Sequence, residues 1–468
     1  MSAELFVISI PYRDPVAAFA AFADDPPAVF FDSADEGGGR GRHSYIAADP
    51  FRVITADIKV EIDGHAVSGD PFGVLRRELA RFTIRSRPDL PPFQTGAAGF
   101  FAYELGRHLE RLPALPPNDT RFPEMVVGLY DTIAAFDVHE RRAWVVAGDL
   151  AENDRTVPPR PSAKARGEAM AARIEAAGEP GEIDMVSSGC WRSEMTRRDY
   201  ESAAAKVIEY ILAGDIFQAN LTQRFLGKIP DGLHPFTLYR RLRKLSPAPF
   251  AAYLACGYNR AIASASPERF LRLGSDGEVE TRPIKGTRPR GKSPDEDAEL
   301  AALLLASEKD HAENLMIVDL LRNDLSRVCE PGSVKAEEIA ALESFANVHH
   351  LVSVVRGQMR KGLGAVDLLE AAFPGGSVTG APKIRAMEII AELEPSRRGP
   401  YCGAIAWMGF DGAMESSVVI RSLTISDGMA IAQAGGGIVA DSDPSAEYDE
   451  TIIKVRALLD SLGPAEFG

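Results

Sequence analysis

One basic stretch stands at the centre of the chain: Thr281-Arg282-Pro283-Ile284-Lys285-Gly286-Thr287-Arg288-Pro289-Arg290. Pro283 fixes its own φ angle and Gly286 tolerates unusual backbone angles, so the stretch predicts a shaped loop rather than the interior of a helix or strand. The arginines nearby, together with partial burial, would lower the pKa of Lys285 and favour its free amine. A free amine is a nucleophile, whereas the alternative interpretation is a solvated or phosphate-binding basic loop.

A carboxylate precedes this stretch on the other arm of a predicted hairpin. The strand-like residues 262–266 lead to Glu268, and a Ser275-Asp276-Gly277 turn separates Glu268 from Lys285. Antiparallel arms joined by a short turn lie side by side. We therefore expect Glu268 and Lys285 to face one cleft.

Three further glutamates lie on two predicted helices. Glu313 lies on a long amphipathic helix predicted over residues 299–324, and Glu447 and Glu450 open a C-terminal helix. Glu447 and Glu450 are three residues apart and share a helix face, and Lys454 lies four residues beyond Glu450. Any one of these glutamates is more typical of a solvated helix face. Together they predict a site for Mg²⁺, which prefers one or two protein carboxylates.

Two glycine-rich segments are candidate anion sites. Residues 374–383 form a predicted turn before a helix over 384–392, and such a turn can present backbone N–H groups to an anion. This signal is weak alone, because the spacing is not that of a P-loop. Residues 434–439 predict a strand in which Gly435, Gly436 and Gly437 allow a ligand to approach the backbone closely.

The composition excludes several classes of partner. The chain has 468 residues, enough for two domains or one large composite one, and 45% hydrophobic residues are typical of a soluble globular protein. A net charge of -15 argues against a nucleic-acid backbone or an anionic membrane as partner. We find no signal-peptide pattern, no apolar run of 18 residues and no C-x-x-C among the four cysteines. These features predict a cytoplasmic protein with reduced thiols.

The sequence is divided into three predicted regions. Residues 4–150 consist mostly of strand-forming segments and carry no catalytic constellation. Residues 151–192 contain a proline-rich loop, an alanine-rich segment predicted to be helical over 163–177, and a second loop, which together predict a linker. Residues 193–462 contain all of the motifs described above.

This third region resembles the chorismate-utilising enzymes, a family that includes anthranilate synthase component I, isochorismate synthase, salicylate synthase and aminodeoxychorismate synthase component I. The similarity runs from Thr196 to Leu462 and rests on long motifs in one order, while residues 4–150 match more loosely. The matching motifs are Ser266-Pro267-Glu268-Arg269-Phe270, the Lys285 stretch, Ile317 to Leu325, Pro374 to Lys383, and Gly435 to Asp443. The resemblance implies an α/β (α+β) fold of the anthranilate synthase component I type. Its core is a large two-sheet β-sandwich flanked by helices, to which the N-terminal region adds strands.

Two positions indicate which reaction the resemblance implies. The motif Pro-Ile-Lys-Gly-Thr, with Lys285 at its centre, resembles that of the aminodeoxychorismate synthases. Anthranilate synthases usually carry alanine at the position of this lysine. Gln218 stands where the water-adding members have a lysine base, and a glutamine cannot deprotonate water. The resemblance therefore implies conversion of chorismate and ammonia to 4-amino-4-deoxychorismate, a precursor of 4-aminobenzoate and folate. Anthranilate synthesis is the alternative, and a non-catalytic binding subunit is the second alternative.

The resemblance also implies a role for each motif residue. Lys285 is the nucleophile that adds to the ring, and Glu268 is the general acid for the departing hydroxyl. Mg²⁺ would be held by Glu313 and Glu450, with Glu447 beside them. The implied substrate-binding groups are Gln218, His350, Thr379, Tyr401, Arg421, Lys454 and the N–H groups of Gly435, Gly436 and Gly437.

The sequence also bears on two possible partners, an amidotransferase subunit and tryptophan. The sequence contains no G-x-C nucleophile turn of a glutamine amidotransferase, so the resemblance implies a separate amidotransferase subunit that supplies ammonia. Some relatives bind tryptophan in an N-terminal pocket. Here Asp32-Ser33 and residues 247–250 match that pocket partly, whereas residues 41–45 depart from its aromatic-serine pattern. Tryptophan binding therefore stays open.

Overall fold

The fold is built on two large β-sheets, in which every strand pair but one is antiparallel. A computed structural model describes residues 4–34, 41–150, 156–181, 190–257, 259–344, 348–463 and 466–467. The strands are β1 (Leu5–Ile10), β2 (Ala28–Asp32), β3 (His43–Ala47), β4 (Arg52–Ala56), β5 (Val60–Ile62), β6 (His65–Val67), β7 (Gly96–Phe101), β8 (Met125–Tyr130), β9 (Thr132–Asp137), β10 (Arg142–Gly148), β11 (Cys190–Ser193), β12 (Gln218–Lys228), β13 (Phe250–Gly257), β14 (Arg260–Ser266), β15 (Arg269–Leu273), β16 (Glu278–Thr281), β17 (Ile284–Pro289), β18 (Lys335–Ser344), β19 (Val348–Gln358), β20 (Gly380–Ala381), β21 (Ala404–Gly409), β22 (Met414–Val418), β23 (Ser422–Ser426), β24 (Met429–Ile438) and β25 (Glu466–Phe467).

Each sheet contains strands from both the N-terminal and the C-terminal region of the chain. The first sheet has the order β1-β10-β9-β3-β2-β13-β14-β23-β24-β12-β11-β25, with β20 on β12, and the second has the order β17-β19-β16-β15-β22-β21-β7-β8-β4-β5-β6, with β18 on β19. N-terminal β2 pairs with β13, and N-terminal β7 pairs with β21. The N-terminal region therefore completes both sheets, as predicted, and does not form a module of its own.

Helices cover the outer faces of the sheets. They are α1 (Pro15–Phe19), α2 (Pro71–Leu79), α3 (Ala163–Ala176), α4 (Arg197–Leu212), α5 (Pro235–Leu245), α6 (Pro294–Leu305), α7 (Glu308–Ser326), α8 (Ala365–Ala372), α9 (Lys383–Leu393) and α10 (Pro444–Asp460), together with short 3₁₀ helices at Ala20–Phe22, Tyr103–His108 and Gly376–Val378. Within the described ranges, no helix is long and apolar enough to cross a membrane.

Apolar side chains from both sheets pack against one another in the interior. One buried cluster joins Ile133, Leu254 and Ile262 of the first sheet to Phe100 and Trp407 of the second. The Phe93 and Trp407 rings stack within it at 5.1 Å. Fully burying a large apolar side chain contributes about 1.5–3 kcal/mol, so this layer holds the sheets face to face. The predicted two-sheet sandwich with helices outside is confirmed.

The predicted linker is partly built into the fold. Residues 151–155 and 182–189 of it lie outside the described residues. Between them, the predicted helix is present as α3, and Gly167 of α3 lies against Phe6 of β1. The boundaries of the three regions stay a prediction.

The long helix predicted over residues 299–324 is wrong, since the structure has two helices, α6 and α7, in its place. α6 ends at Leu305, and the side chain of Ser307 accepts a hydrogen bond from the backbone N–H of Asp310 at 3.3 Å. Serine at this position satisfies one of the free N–H groups of a new helix, and Glu308 and Asp310 suit its positive end. The prediction failed because the apolar pattern runs on past Ser307, whose capping of α7 starts a new helix.

The Lys285 stretch is a strand with a bulge rather than a loop. Lys285 pairs with Leu351 of β19 and Thr287 pairs with His350, so Gly286 between them is the extra residue. Gly286 has a φ angle of +76°, which a residue with a side chain rarely adopts. The sequence correctly indicated an unusual backbone conformation at Gly286. It did not indicate that Lys285 pairs with β19 as part of a sheet.

A buried arginine ties the glycine-rich segment to the first sheet. Arg398, which is 2% exposed, pairs with Glu394 at 2.7 Å and donates to the carbonyl of Val378 at 2.7 Å and that of Asn220 at 2.6 Å. Glu104 of the N-terminal region accepts from the backbone N–H of Arg398 at 2.9 Å, and burial raises the pKa of Glu104 to about 7. The buried Arg398–Glu394 ion pair therefore holds the segment around Val378 in place.

Replacing this arginine should destabilise the protein strongly. Arg398→Met leaves the buried carboxylate of Glu394 without its cation, and breaking a buried pair in this way costs about 3–5 kcal/mol. Arg385→Met is the matched control, because Arg385 pairs with Glu388 at 2.9 Å on the partly exposed surface of α9. Such a surface pair contributes about 0–1 kcal/mol. Urea unfolding of the two variants measures the difference, and equal midpoints would contradict the stabilising role of Arg398.

Candidate active site

The ends of several elements bring Lys285 and Glu268 to the glycine-rich segment. Lys285 of β17 is half-buried, and its Nζ lies 3.4 Å from the carbonyl oxygen of Ser377. Glu268 follows β14, is 6% exposed, and accepts a hydrogen bond from the Ser377 hydroxyl. The sequence predicted that Glu268 and Lys285 face one cleft, and the structure places both beside Ser377. It adds Ser377 as the residue that both contact.

Burial sets the charge states of this pair. Burial raises the pKa of Glu268 to about 7, against the opposing effects of the Ser377 hydrogen bond and the Lys285 charge. Burial also lowers the pKa of Lys285, although the carboxylates of Glu313 and Glu268 oppose that shift. An acid that keeps its proton near neutral pH therefore lies beside an amine that loses its proton more readily than a lysine in water.

Two carboxylates on facing helices converge on one lysine. Glu447 of α10 is 4% exposed and accepts from the Ser442 hydroxyl at 2.7 Å. Nζ of Lys309 lies 3.3 Å from Oε1 of Glu447 and 4.0 Å from Oε1 of Glu313. Burial raises the pKa of Glu313, and the charges of Lys285 and Lys309 oppose that rise.

The third glutamate has a different partner. Oε1 of Glu450 lies 2.7 Å from Nζ of Lys454, and that ammonium also donates to the carbonyl of Gly435 at 3.1 Å. Desolvation opposes the shift of this half-exposed carboxylate, but the charges of Lys454, Lys309 and Lys285 together lower the pKa of Glu450. Lys454 thus joins α10 to β24, where the three glycines lie.

The carboxylates fit a magnesium ion in their chemistry. Hard oxygen donors on α7 and α10 face each other, and the Lys309 ammonium already stands as a cation between Glu313 and Glu447. In the described part of the chain, no three His, Cys, Asp or Glu side chains are grouped closely enough for a metal ion. Magnesium binding therefore stays a prediction, and it requires Lys309 to move.

The three glycines of β24 stand where a side chain would not fit without displacing a neighbour. A Cβ on Gly435 would lie 1.9 Å from the carbonyl oxygen of Leu221, and one on Gly437 would lie 2.2 Å from Nε2 of Gln218. A Cβ on Gly436 would instead point into the site, 3.0 Å from Oε2 of Glu447. Any side chain at these positions would push β12 away or occupy the space beside the carboxylates.

The outer edge of β24 is open next to these glycines. β23 pairs with β24 from Met429 to Ala432, whereas β12 pairs with it from Met429 to Ile438. In an antiparallel ladder, alternate residues direct their N–H groups to opposite sides. Beyond Ala432, alternate N–H groups therefore point away from β12, as an anion-binding role requires.

Gln218 is a buried amide whose hydrogen-bonding groups are unsatisfied. Its side chain is fully buried, and neither Oε1 nor Nε2 has a hydrogen-bond partner in the part of the chain that the structure describes. Nε2 faces Gly437. A buried unpaired polar group costs about 1–3 kcal/mol, and a bound polar molecule would remove that cost.

Arg421 has no anionic partner among the described residues. It is half-buried after β22, where φ is +49°, and burial alone lowers the pKa of its guanidinium. Tyr401, 5% exposed, lies in the turn before β21, and burial raises its pKa. The backbone N–H of Cys402 donates to the carbonyl of Val419, which brings this turn beside the segment leading to Arg421. A buried guanidinium without a counter-ion suits a ligand carboxylate.

His350 and Thr379 occupy the flanks of the Lys285 strand and the glycine-rich segment. Nδ1 of His350 lies 2.9 Å from Oγ1 of Thr287, directly across the sheet from β17. The Thr379 hydroxyl donates to the carbonyl of Gly375 at 3.0 Å, so it holds the segment together internally. Both residues are buried close to the elements that carry Lys285 and Ser377.

Three residues of the site were missed by sequence reasoning. Ser377 lies inside the glycine-rich motif, and Lys309 lies four residues before Glu313, so both carried a weak local signal. Ser442 precedes α10 and was not distinguishable from any other serine near a helix start. Each acts by contacting a predicted residue rather than by a motif of its own.

A cavity of about 530 Å³ lies between residues 31–94 of the N-terminal region and residues 249–276 and 405–417, and it includes Asp32 and Ser33 of the expected tryptophan pocket. Asp32 lines this cavity, but its carboxylate already accepts from Tyr239 and from Arg243, each at 2.6 Å. The other lining residues include Phe31, Ser33, Arg42, His43, Tyr45, Phe250 and Trp407. The region therefore contains an aromatic cavity, while Asp32 is committed to an internal ion pair.

Known proteins match the chain over nearly its whole length. A family model described as chorismate binding enzyme matches residues 26–460. Aminodeoxychorismate synthase component 1 of Escherichia coli is 41% identical over 97% of this chain and 98% of its own. Anthranilate synthase component 1 of Thermus thermophilus is 40% identical over 97% and 96%. The crystal structure of anthranilate synthase component I from Streptococcus pneumoniae superimposes with a TM-score of 0.79 at 32% identity, covering 89% of this chain and 92% of that one.

Lys285 should be labelled by amine reagents at unusually low pH. Its pKa lies below the usual lysine value of about 10.4, so the reactive free amine is present at lower pH. We expect the midpoint of labelling with acetic anhydride against pH to fall below that value, as followed by mass spectrometry of the peptide. The exposed Lys361 serves as the reference for reagent concentration. A midpoint for Lys285 at or above the usual value would show that its neighbouring carboxylates outweigh burial.

Proposed function

Because the chain belongs to the chorismate-binding enzymes, we propose that it converts chorismate and ammonia to 4-amino-4-deoxychorismate. The observation that carries the proposal is the pairing of Lys285, whose pKa is lowered, with Glu268, whose pKa is raised to about 7. Relatives named aminodeoxychorismate synthase and anthranilate synthase are nearly equally similar to the chain. Similarity alone therefore does not choose the reaction, and Lys285 is the residue that favours the first.

The first proposed step uses Lys285 as a nucleophile. The free amine adds to C2 of the ring, the two conjugated ring double bonds each shift by one position, and the bond from C4 to its hydroxyl breaks. Glu268 gives its proton to that hydroxyl, which leaves as water. A buried acid with a pKa near 7 suits this role, because it holds its proton at neutral pH and can still release it.

In the second proposed step, ammonia replaces the lysine. Ammonia adds at C4, the bond from C2 to Lys285 breaks, and the lysine leaves as a neutral amine. The new ammonium group returns one proton to Glu268, so both residues regain their starting states. The sum is chorismate and ammonia giving 4-amino-4-deoxychorismate and water. We propose that a separate glutamine amidotransferase supplies the ammonia.

The carboxylates of chorismate match the cations of the site. The unpaired guanidinium of Arg421 and the outward N–H groups of β24 suit one carboxylate, and Lys454 suits the ring carboxylate. Tyr401, His350 and Thr379 flank the remaining space. Gln218 has free amide groups that a polar substrate atom would satisfy.

Magnesium is the proposed cofactor of this site. Glu313 and Glu450 would hold it, with Glu447 beside them, and it would draw negative charge towards the ring carboxylate as a Lewis acid. In the chain itself, the Ser442 hydroxyl orients Glu447 for this role. The product would feed 4-aminobenzoate and folate synthesis. We place the enzyme in the cytoplasm, in accord with its four free cysteines.

The product distinguishes this proposal from anthranilate synthesis. The purified chain, given chorismate, Mg²⁺ and ammonium, should form a compound that becomes 4-aminobenzoate only after a lyase is added. Anthranilate is fluorescent and has lost pyruvate, so fluorescence and pyruvate release without the lyase would overturn the proposal. Absence of any chorismate turnover would favour a non-catalytic binding subunit.

Replacing the lysine tests its covalent role. Lys285→Ala should lower turnover by roughly a hundred- to ten-thousand-fold, because one member of a catalytic unit is lost. Chorismate affinity should change little, and the remaining product should shift towards 2-amino compounds of the anthranilate type. In the unmodified chain, chorismate without ammonia should add mass to the peptide that contains Lys285.

The control for this variant is Lys361→Ala, which removes an exposed lysine and should leave turnover unchanged. Formation of 4-amino-4-deoxychorismate by Lys285→Ala at near the normal rate would exclude the nucleophile role. Lys285 would then be a solvated or anion-binding residue of a basic segment, as in the alternative interpretation of the sequence.

A further inference from the structure

Lys309 lies in the gap between Glu313, which the proposed function assigns to magnesium, and Glu447, which it places beside the ion. Its Nζ lies 3.3 Å from Oε1 of Glu447 and 4.0 Å from Oε1 of Glu313. The two glutamates belong to different helices, so the ammonium bridges α7 and α10.

The position of Lys309 is unfavourable for its own helix. It is the second residue of α7, where the helix dipole favours acidic rather than basic side chains. Its pairing with Glu313 also has the lysine on the N-terminal side, which is the weaker order for residues four apart. Local helix energetics therefore do not explain a lysine here. The buried Glu447 carboxylate, which needs a counter-ion, does.

A lysine and a divalent cation cannot both occupy this gap. A cation bound to Glu313 with Glu447 beside it would stand within a few ångströms of the ammonium, where like charges repel strongly at the partly buried site. The Lys309 side chain is 48% exposed and lies at the start of α7, so it can turn outwards into water. Its long flexible stem lets it leave without moving the helix.

We infer that Lys309 is an internal counter-ion that holds Glu313 and Glu447 in the metal-free chain and withdraws when a divalent cation binds. This inference rests on the proposed function, because it takes the carboxylates as the cation site. Lys309 thereby sets the affinity of the site: it keeps the carboxylates compensated without metal, at the cost of weaker cation binding. It is a positioning residue and takes no part in the bond changes at the ring.

Removing the lysine should tighten cation binding. Mn²⁺ replaces Mg²⁺ as the probe, and its binding to the full chain without chorismate is titrated by electron paramagnetic resonance. We expect Lys309→Met to lower the Mn²⁺ dissociation constant about fivefold, the change that matches loss of one competing ion pair. The matched control is Lys164→Met, which removes a lysine–glutamate pair of the same spacing on α3, at 3.8 Å from Glu168.

The stability of the variant provides a second measurement. In EDTA, Lys309→Met should melt at a lower temperature than the unmodified chain, because Glu447 loses its counter-ion. Saturating Mg²⁺ should remove most of that difference. Lys164→Met should show neither effect.

The unmodified protein offers a test that needs no variant. If the ammonium is released by the metal, labelling of Lys309 by acetic anhydride should rise as Mn²⁺ is added, while labelling of Lys164 stays constant. Labelling of Lys309 that is independent of Mn²⁺ would overturn the inference.

Two variants distinguish a failure of the counter-ion role of Lys309 from a failure of the proposed magnesium site. If Glu313→Gln binds Mn²⁺ as tightly as the unmodified chain, the carboxylates are not the cation site, and the proposed cofactor role fails. If Glu313→Gln weakens binding but Lys309→Met leaves it unchanged or weaker, the cation site stands and the counter-ion role of Lys309 is wrong. Weaker chorismate binding by Lys309→Met at unchanged Mn²⁺ affinity would likewise overturn it, in favour of a direct contact with substrate.

Discussion

The candidate site depends on one buried ion pair, between Arg398 and Glu394. The guanidinium holds the carbonyls of Val378 and Asn220 as well as Glu394, so it connects the glycine-rich segment to β12 of the first sheet. A buried charge is tolerated only when it is fully compensated, and here each partner compensates the other. Because Ser377 precedes Val378, this pair also fixes the residue that contacts both Glu268 and Lys285.

Burial acts on the site in two opposite directions. It raises the pKa of Glu268 and lowers that of Lys285, because water no longer stabilises either charge. It also leaves each buried carboxylate in need of a cation, as Glu394 pairs with Arg398 and Glu447 pairs with Lys309. The same withdrawal of water thus prepares an acid and an amine for proton and bond transfer and accounts for the cations beside these carboxylates.

The site is shared between both sheets, which explains why the N-terminal region cannot be a separate module. β17 belongs to the second sheet and β24 to the first, while β2 and β7 of the N-terminal region lie inside these sheets. Glu104 accepts a hydrogen bond from the backbone of Arg398 itself. The N-terminal region therefore supports the network that holds the glycine-rich segment, although it supplies none of the predicted catalytic residues.

The sequence by itself determined the family, the two-sheet fold and the motif residues, because these follow from local patterns and from long motifs in a fixed order. It also placed Glu268 beside Lys285, since a short turn joins their arms. Only the tertiary structure decided what depends on distant contacts: the division of one predicted helix into α6 and α7, the unsatisfied amide of Gln218, and the Lys309 bridge between α7 and α10. Charge states belong to this second group, because desolvation depends on every atom packed around a residue and not on its neighbours in the chain.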